Sequence, residues 1–330
     1  MSRLPLTIAT GYYDRVRAIL DGRTCIEGCD VNYVVLPVEE CFHRAWAYQE
    51  FDVTEIGFSS YLMTVARGVA PYVAIPAFLS RSFRHSAIYI RNDRGIERPA
   101  DLRGKLVGVP SYEQAAGVWV RGLLKEEYGV APEEMQWLQA GIEEPGRRST
   151  FSLTLPEKLN FRPAPEGATL TRMLAEGELD AVFSARPPSC FDLGHPRVQR
   201  LFPDYREVER EYFRVRGVFP IMHTLGIRRS LADKHPWLAS SLLKAFTQAK
   251  RLAYEELCDV NALRIGLPWI AAEVEATRQL MGDDFWPYGV AANRKTIETT
   301  ARYALEQGLL ARPVAVEEMF PPSTMDTARV

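Results

Sequence analysis

Asp101-Leu-Arg-Gly-Lys-Leu-Val-Gly-Val-Pro110 decides how this chain folds. Its first half is polar and carries a glycine, so it reads as a turn. Its second half is a short apolar run bounded by turn residues, which reads as a buried strand. Its place makes it decisive. The residues before it already hold a full alternation of strands and helices, and here the alternation begins again.

Upstream, Leu6-Thr-Ile-Ala is a short strand ended by Gly11, and Tyr13, Val16, Ile19 and Leu20 then fall on one helical face. Val31 to Leu36 is a second strand. After Pro37, Val38, Cys41, Phe42, Ala45 and Trp46 recur at helical spacing. Phe51 to Phe58, Tyr72 to Leu79 and Ser86 to Ile90 read as three more strands. Downstream, a helix runs from about Tyr112 to Tyr128 and stops at Gly129. Met135 to Leu138 is a strand, and residues 141–168 form a long irregular excursion rich in Pro, Gly, Arg and Glu. A helix over Leu170–Leu179 and a strand from Asp180 follow. The pattern switches at His223-Thr-Leu-Gly-Ile, and from Pro236 the chain is mainly helical. Strands alternating with helices predict an α/β protein with mostly parallel sheets. The restart predicts two lobes: residues 1–105 with 220–330, and residues 106–219, joined by crossings near 84–105 and 205–225.

The chain has 330 residues, 47% hydrophobic and 25% charged, with ample apolar content for two cores. A net charge of −2 argues against nucleic-acid binding. No apolar run approaches the ~18 residues of a membrane span. The N-terminus enters a strand at once without a secretory signal pattern, so a cytoplasmic location is expected. The five cysteines are expected to be free thiols, and Cys25 and Cys29 are read as small loop or core residues rather than a metal pair.

The densest chemistry lies in Arg81-Ser-Phe-Arg84-His85, which places two guanidinium groups and an imidazole at the entrance of a strand. A pocket that holds a dianionic acid and moves a proton needs that combination. His223 has a similar setting, and the two segments are expected to meet at one cleft. Imidazole titrates near neutral pH and serves as acid or base. The planar guanidinium fork of Arg81 or Arg84 suits a carboxylate; surface salt bridges are the alternative. In an extended segment Arg81 and His85 would share one face and Arg84 the other, whereas a turn could bring all three together. His43 reads as surface, and His195 and His235 as structural.

Ligands of open α/β sheets bind beyond the carboxyl ends of strands. Tyr12, Tyr13, Ser59, Ser60, Tyr112, Glu113 and Arg186 occupy such ends. Glu55 shares a strand face with Ser59, where it serves either as proton carrier or phenol acceptor, or as a salt-bridge partner. Arg147 and Arg148, in the long excursion, either cap the pocket as a lid or stay solvated. Gly-x-Gly-x-x-Gly, the phosphate-binding loop, His-Glu-x-x-His and Cys-x-x-Cys are all absent.

Five stretches carry a resemblance: Leu-Thr-Ile-Ala-Thr-Gly-Tyr-Tyr-Asp (6–14), Phe-Ser-Ser-Tyr-Leu-Met (58–63), Arg-Ser-Phe-Arg-His-Ser (81–86), Glu-Glu-Pro-Gly-Arg-Arg (143–148) and Trp-Pro-Tyr-Gly-Val-Ala-Ala-Asn-Arg (286–294). With the order of elements, they resemble the type II periplasmic-binding-protein fold and, within it, the 4,5-dihydroxyphthalate decarboxylase family. The resemblance implies loss of one ring carboxylate from a dihydroxylated aromatic dicarboxylate to give 3,4-dihydroxybenzoate and CO2. A hydroxyl para to the leaving group pushes electron density to the ipso carbon, which a protein acid protonates. His85 and His223 are the candidate acid and base, with Glu55 beside them, and Arg81 and Arg84 the cations for the retained carboxylate. No cofactor is expected, although His85, His223 and a carboxylate could hold a divalent metal. The expected partners are the small aromatic dicarboxylate and further copies of the chain, with no nucleic acid or membrane.

Two other functions fit the fold. A non-catalytic solute-binding protein would need arginines, hydroxyls and backbone N–H groups, but not two imidazoles. A thiamin-pyrimidine synthase that consumes its own histidine resembles the fold as well, with no local support in this sequence.

Overall fold

The structure is a computed structural model that describes residues 3–146, 149 and 151–326. It divides into two compact units. One comprises the chain up to Arg81, Ile221–Glu298 and the residues from Val314 on; the other comprises Ser82–Pro220 and Thr299–Pro313.

The strands, in chain order, are β1 (Leu4–Thr10), β2 (Cys29–Val35), β3 (Val53–Gly57), β4 (Tyr72–Arg81), β5 (Ile88–Arg91), β6 (Leu106–Val109), β7 (Gln136–Gln139), β8 (Asn160–Pro163), β9 (Ala181–Phe183), β10 (Val198–Arg200) and β11 (Ile221–Arg228). The first unit holds a five-stranded sheet in the order β2-β1-β3-β11-β4. Strands β1, β2 and β3 run parallel, and β11 returns antiparallel between β3 and β4. All five residues of β3 are buried, as a central strand covered on both faces requires. Apolar residues from the sheet, such as Ile56, Phe78 and Ile227, and Leu242 and Phe246 of the helix Leu238–Cys258, are sealed in this unit's core.

The second unit holds a six-stranded sheet in the order β10-β5-β9-β6-β7-β8. Trp119, Trp137, Leu170, Leu174 and Val182 are buried within this unit. The helix Ala115–Tyr128 stops at Gly129 (φ 65°), and Leu170–Glu176 stops at Gly177 (φ 83°), both left-handed positions that favour glycine.

The division differs from the sequence expectation in two places. Strand β5 belongs to the second sheet, with Ile88 opposite Phe183 and Arg91 opposite Val198. The first boundary therefore falls at Arg81/Ser82 rather than near residue 105. Residues 299–313 also join the second unit: Gln307 accepts from Arg121 Nε (2.8 Å) and donates to the Val118 carbonyl (2.9 Å). Apolar alternation identifies a strand but not the sheet in which it finds a partner. Among its described residues, the 141–168 excursion contains only β8 as a regular strand. Strand β10 and the helix Tyr205–Arg216 were not anticipated.

Candidate functional site

In the first unit, the order of the strands places a carboxylate beside an imidazole. Glu55 is the middle residue of β3 and is fully buried. Strand β11 pairs antiparallel with β3 so that Leu225 faces Glu55 and His223 faces Gly57. His223 and Glu55 are thus diagonal neighbours, within reach of long side chains. Two register shifts in the β11–β4 pairing flank His223. Pro76, within β4, lacks an N–H for the ladder, and Thr224 Oγ1 donates to the Ile75 carbonyl (2.6 Å) beside it. Such bulges re-aim side chains, and they collect near active sites.

His223 Nδ1 lies 2.6 Å from Glu55 Oε1. Glu55 receives two further donors: the Gly11 backbone N–H, 2.9 Å from Oε2, and the Tyr13 hydroxyl, 2.7 Å from Oε1. Burial alone would push this carboxyl's pKa up. The hydrogen bonds and charge of His223, with those of Gly11 and Tyr13, outweigh it and hold the pKa below the usual range. An ionised Glu55 can only accept, so Nδ1 carries a proton and Nε2 is left as the exchanging position. Phe42 meets the imidazole edge-on, with centroids 4.7 Å apart. Burial first, and then the Glu55 charge, raise the Tyr13 phenol pKa, so Tyr13 stays a donor.

His85 and His223 were expected at one cleft. Their segments do meet as neighbouring strands, with Ile221 opposite Arg81 and His223 opposite Ser80. The side chains have separate surroundings. His85 belongs to the second unit, 1% exposed among Tyr128, Phe202 and Tyr212, whose ring centroids lie 6.3, 5.2 and 5.4 Å away. Its Nδ1 has no hydrogen-bond partner among the described residues. Burial pulls its pKa down to about 4 from 6.5. The neutral ring is therefore the form present at neutral pH, which does not suit a general acid.

A testable consequence follows from that depressed pKa. As the pH falls from 6.5 towards 4, the unfolded state binds a proton that the folded state refuses, so stability is lost on acidification. His85→Leu should remove this loss. Between these two pH values the variant should lose less unfolding free energy than the parent, by on the order of 3 kcal/mol in denaturant titrations. Parallel curves for the two proteins would show that His85 is not buried in this way.

Arg81, 5% exposed, donates from Nη1 to the Pro287 carbonyl (3.1 Å), and burial lowers its pKa to about 9. Arg84 lies in the second unit, where burial lowers its pKa to about 10 and Glu209 and Tyr89 oppose the shift. The two arginines therefore do not share one environment.

Tyr12 is 63% exposed, with the Arg17 guanidinium 5.9 Å from its ring centroid. Ser59 is buried in the first turn of the helix Phe58–Ala66, and Ser60 sits half-buried beside Gly57. In the second unit, Tyr112 is buried against Trp137 and Phe161 and under the Arg121 guanidinium, Glu113 is buried next to it, and Arg186 is exposed. Arg147 and Arg148 lie outside the described residues. Among the described residues, no group of three or more His, Cys, Asp or Glu side chains could hold a metal ion. No helix among them is long and apolar enough to cross a membrane.

The sequence reading missed Arg15, Trp286 and Tyr288. The Arg15 guanidinium lies 4.1 Å from the Tyr13 ring centroid and 4.3 Å from that of Trp286. Tyr288, two residues after Trp286, is buried. The stretch 286–294 drew notice only as a resemblance, because a Trp-Pro-Tyr-Gly turn carries no periodicity that assigns it a role.

Residues 10–144 match a family model described as ABC transporter, phosphonate, periplasmic substrate-binding protein. The chain is 44% identical over its whole length to a 4,5-dihydroxyphthalate decarboxylase of Comamonas testosteroni, all of which is covered. It is 46% identical to a protein of the same name from Pseudomonas putida over 65% of this chain and 83% of that one. Among solved structures, the periplasmic aliphatic sulphonate binding protein SsuA from Escherichia coli aligns with a TM-score of 0.56 at 15% identity, over 98% of this chain and 99% of that one. That likeness shows the type II periplasmic-binding-protein fold.

Proposed function

The chain belongs to the 4,5-dihydroxyphthalate decarboxylase family, and from that premise we propose that it converts 4,5-dihydroxyphthalate to 3,4-dihydroxybenzoate and CO2. The observation that carries the proposal at the level of chemistry is the buried, ionised Glu55 bonded to His223 Nδ1. Binding an aromatic acid does not require such a pair; moving a proton does.

In the proposed reaction the hydroxyl para to the departing carboxylate pushes electron density onto the ipso carbon. That carbon takes the proton from Nε2 of protonated His223, so a C–H bond forms as the N–H bond breaks. The bond to the carboxylate then breaks, its electron pair restores the aromatic ring, and CO2 leaves. Neutral His223 recovers one proton from solvent, so one proton is consumed for each CO2 released. His223 is the catalytic residue. Glu55 is a positioning residue that fixes the Nδ1–H tautomer and offsets the imidazolium charge, as the carboxylate of a hydrolase triad does. Tyr13 and the Gly11 N–H keep Glu55 ionised and in place.

The test is to incubate purified protein with 4,5-dihydroxyphthalate and follow both products. Equimolar 3,4-dihydroxybenzoate and trapped CO2, over many turnovers, are expected. Stoichiometric binding with the ligand recovered intact would instead favour a solute-binding protein.

The reaction so written needs no metal or organic cofactor. Exhaustive treatment with a strong chelator should leave kcat within about twofold of the untreated value, whereas loss of a Lewis acid would remove several kcal/mol of transition-state stabilisation. Loss of turnover restored by one divalent ion would overturn this part.

We place the protein in the cytoplasm, supported by five cysteines none of which is paired. Self-association is supported by exposed apolar residues in one loop region, including Val260 (65%) and Trp269 (75%). Light scattering coupled to size exclusion tests it, and a monomeric mass at micromolar concentration would contradict it.

A further inference from the structure

The sequence assigned the carboxylate-binding role to Arg81 and Arg84. The geometry points elsewhere: we propose that Arg15 and Tyr288 form the subsite for the carboxylate that stays on the aromatic ring. The inference rests on the decarboxylase reading and deepens it.

Arg15 lies on the first turn of the helix Asp14–Leu20, next to Tyr13, the phenol that donates to Glu55. Its guanidinium lies over both the Tyr13 and Trp286 rings, 4.1 and 4.3 Å from their centroids. Aromatic rings stacked on a guanidinium leave the N–H groups at its edge as the route to a ligand. Nε donates to the Leu79 carbonyl (2.8 Å), Nη2 shares that acceptor, and Nη1 donates to Asp14 Oδ1 (3.1 Å). A guanidinium has five N–H donors. Two therefore remain without a partner among the described residues, which is what a planar carboxylate engages. The side chain keeps 14% of its surface exposed. Arg81, by contrast, is sealed and spends a donor on the Pro287 carbonyl.

Tyr288 supplies the second observation. Its hydroxyl is sealed and makes no hydrogen bond among the described residues. A buried hydroxyl left unpaired costs about 1–3 kcal/mol, so it awaits a partner. The charges it senses are those of Arg15, Asp14, Glu55 and Arg81. The turn on either side of it is clamped. Trp286 Nε1 donates to the Phe78 carbonyl (2.8 Å), Gly289 N–H to the Pro76 carbonyl (2.8 Å), and Asn293 Nδ2 to the carbonyls of Pro287 (3.0 Å) and Gly289 (2.8 Å). A clamped turn carrying an unsatisfied phenol is preorganised for binding rather than optimised for stability.

The experiment compares two ligands, 3,4-dihydroxybenzoate and its neutral isostere 3,4-dihydroxybenzamide, by calorimetry. The parent protein should prefer the acid by about tenfold or more, and Arg15→Met should reduce that preference to within about threefold by removing a charge-assisted bond. Tyr288→Phe should weaken the acid by roughly 3–10-fold with no fall in Tm, since it removes an unsatisfied hydroxyl. If Arg15→Met does not fold, Arg15→Lys decides, because it keeps the charge and loses the fork; a fall in the preference of about fivefold is expected. The proposal is overturned if the parent shows no preference, if the preference survives in the Arg15 variants, or if acid and amide weaken equally. A parent that prefers the acid through Arg15 yet releases no CO2 would sink the decarboxylase reading alone. A parent that turns over while Arg15→Met keeps its preference would sink this inference alone.

Discussion

His223→Asn is expected to lower kcat by about 10²–10⁴-fold while leaving the Kd for 3,4-dihydroxybenzoate within about threefold of the parent. Asparagine can take the place of the imidazole against Glu55, but it cannot exchange a proton near neutral pH. Proton delivery to the ring carbon happens only on the way to the transition state, so its loss appears in kcat rather than affinity. Glu55→Gln should cost about 10²-fold and leave a distinct signature. Without the acceptor 2.6 Å from Nδ1, the imidazole loses its fixed tautomer, so kcat should fall while the Kd for 3,4-dihydroxybenzoate stays within about threefold of the parent. A merely structural role for Glu55 would lower Tm and weaken binding together, with no such split between kcat and Kd. The folded-state pKa of Glu55 is depressed, so its contribution to stability is present above about pH 4.5 and is lost as the pH falls through the depressed value. Glu55→Gln should therefore also flatten the acid side of the stability curve.

The second large effect is on stability and lies in the second unit. A Cβ built on Gly122, inside the helix Ala115–Tyr128, would lie 2.0 Å from Tyr303 Cδ2, closer than atoms can approach. The ring cannot swing away easily. It is 2% exposed, packs edge-on against Trp119 at 5.4 Å, and its hydroxyl donates to the Glu126 carboxylate. Gly122→Ala should cost about 3 kcal/mol or more and lower Tm by roughly 6–12 °C. Replacing Tyr303 by Leu should largely relieve it. On that background the same substitution should cost less than about 1 kcal/mol, a coupling that a double-mutant cycle measures. A Gly122→Ala protein with the parental Tm would show that residues 299–313 do not pack against this helix as described.

Local signals made much of the fold legible. Gly129 ended its helix where expected, Gly177 stopped the next one three residues before the expected end at Leu179, and strand alternation placed Glu55 in a buried strand. Pairing is non-local and was less legible. Ile88–Arg91 reads as a strand whichever sheet receives it, and its neighbours β9 and β10 lie about a hundred residues downstream. Residues 299–313 continue a helix in sequence and change company in space, decided by Gln307 and Tyr303.

The site shows the same limit. His223 and Glu55 could be named separately from residue type and alternation, but their contact depends on β11 returning between β3 and β4. The density of charge in Arg81-Ser-Phe-Arg84-His85 drew attention to a segment that spans the division between the units, with Arg81 on one side and Arg84 and His85 on the other. Arg15 carries no motif; two aromatic rings, one of them some 270 residues away, give it its setting.

The most direct measurement runs the parent and His223→Asn side by side with 4,5-dihydroxyphthalate in D2O, followed by NMR and CO2 trapping. The parent should release CO2 and yield 3,4-dihydroxybenzoate carrying one deuteron at the vacated ring carbon, while the variant binds the substrate and returns it unchanged over the same interval. A parent that binds the substrate without consuming it, or a variant that keeps more than about a tenth of parental turnover, would contradict the assignment of His223 as the proton carrier of a decarboxylase.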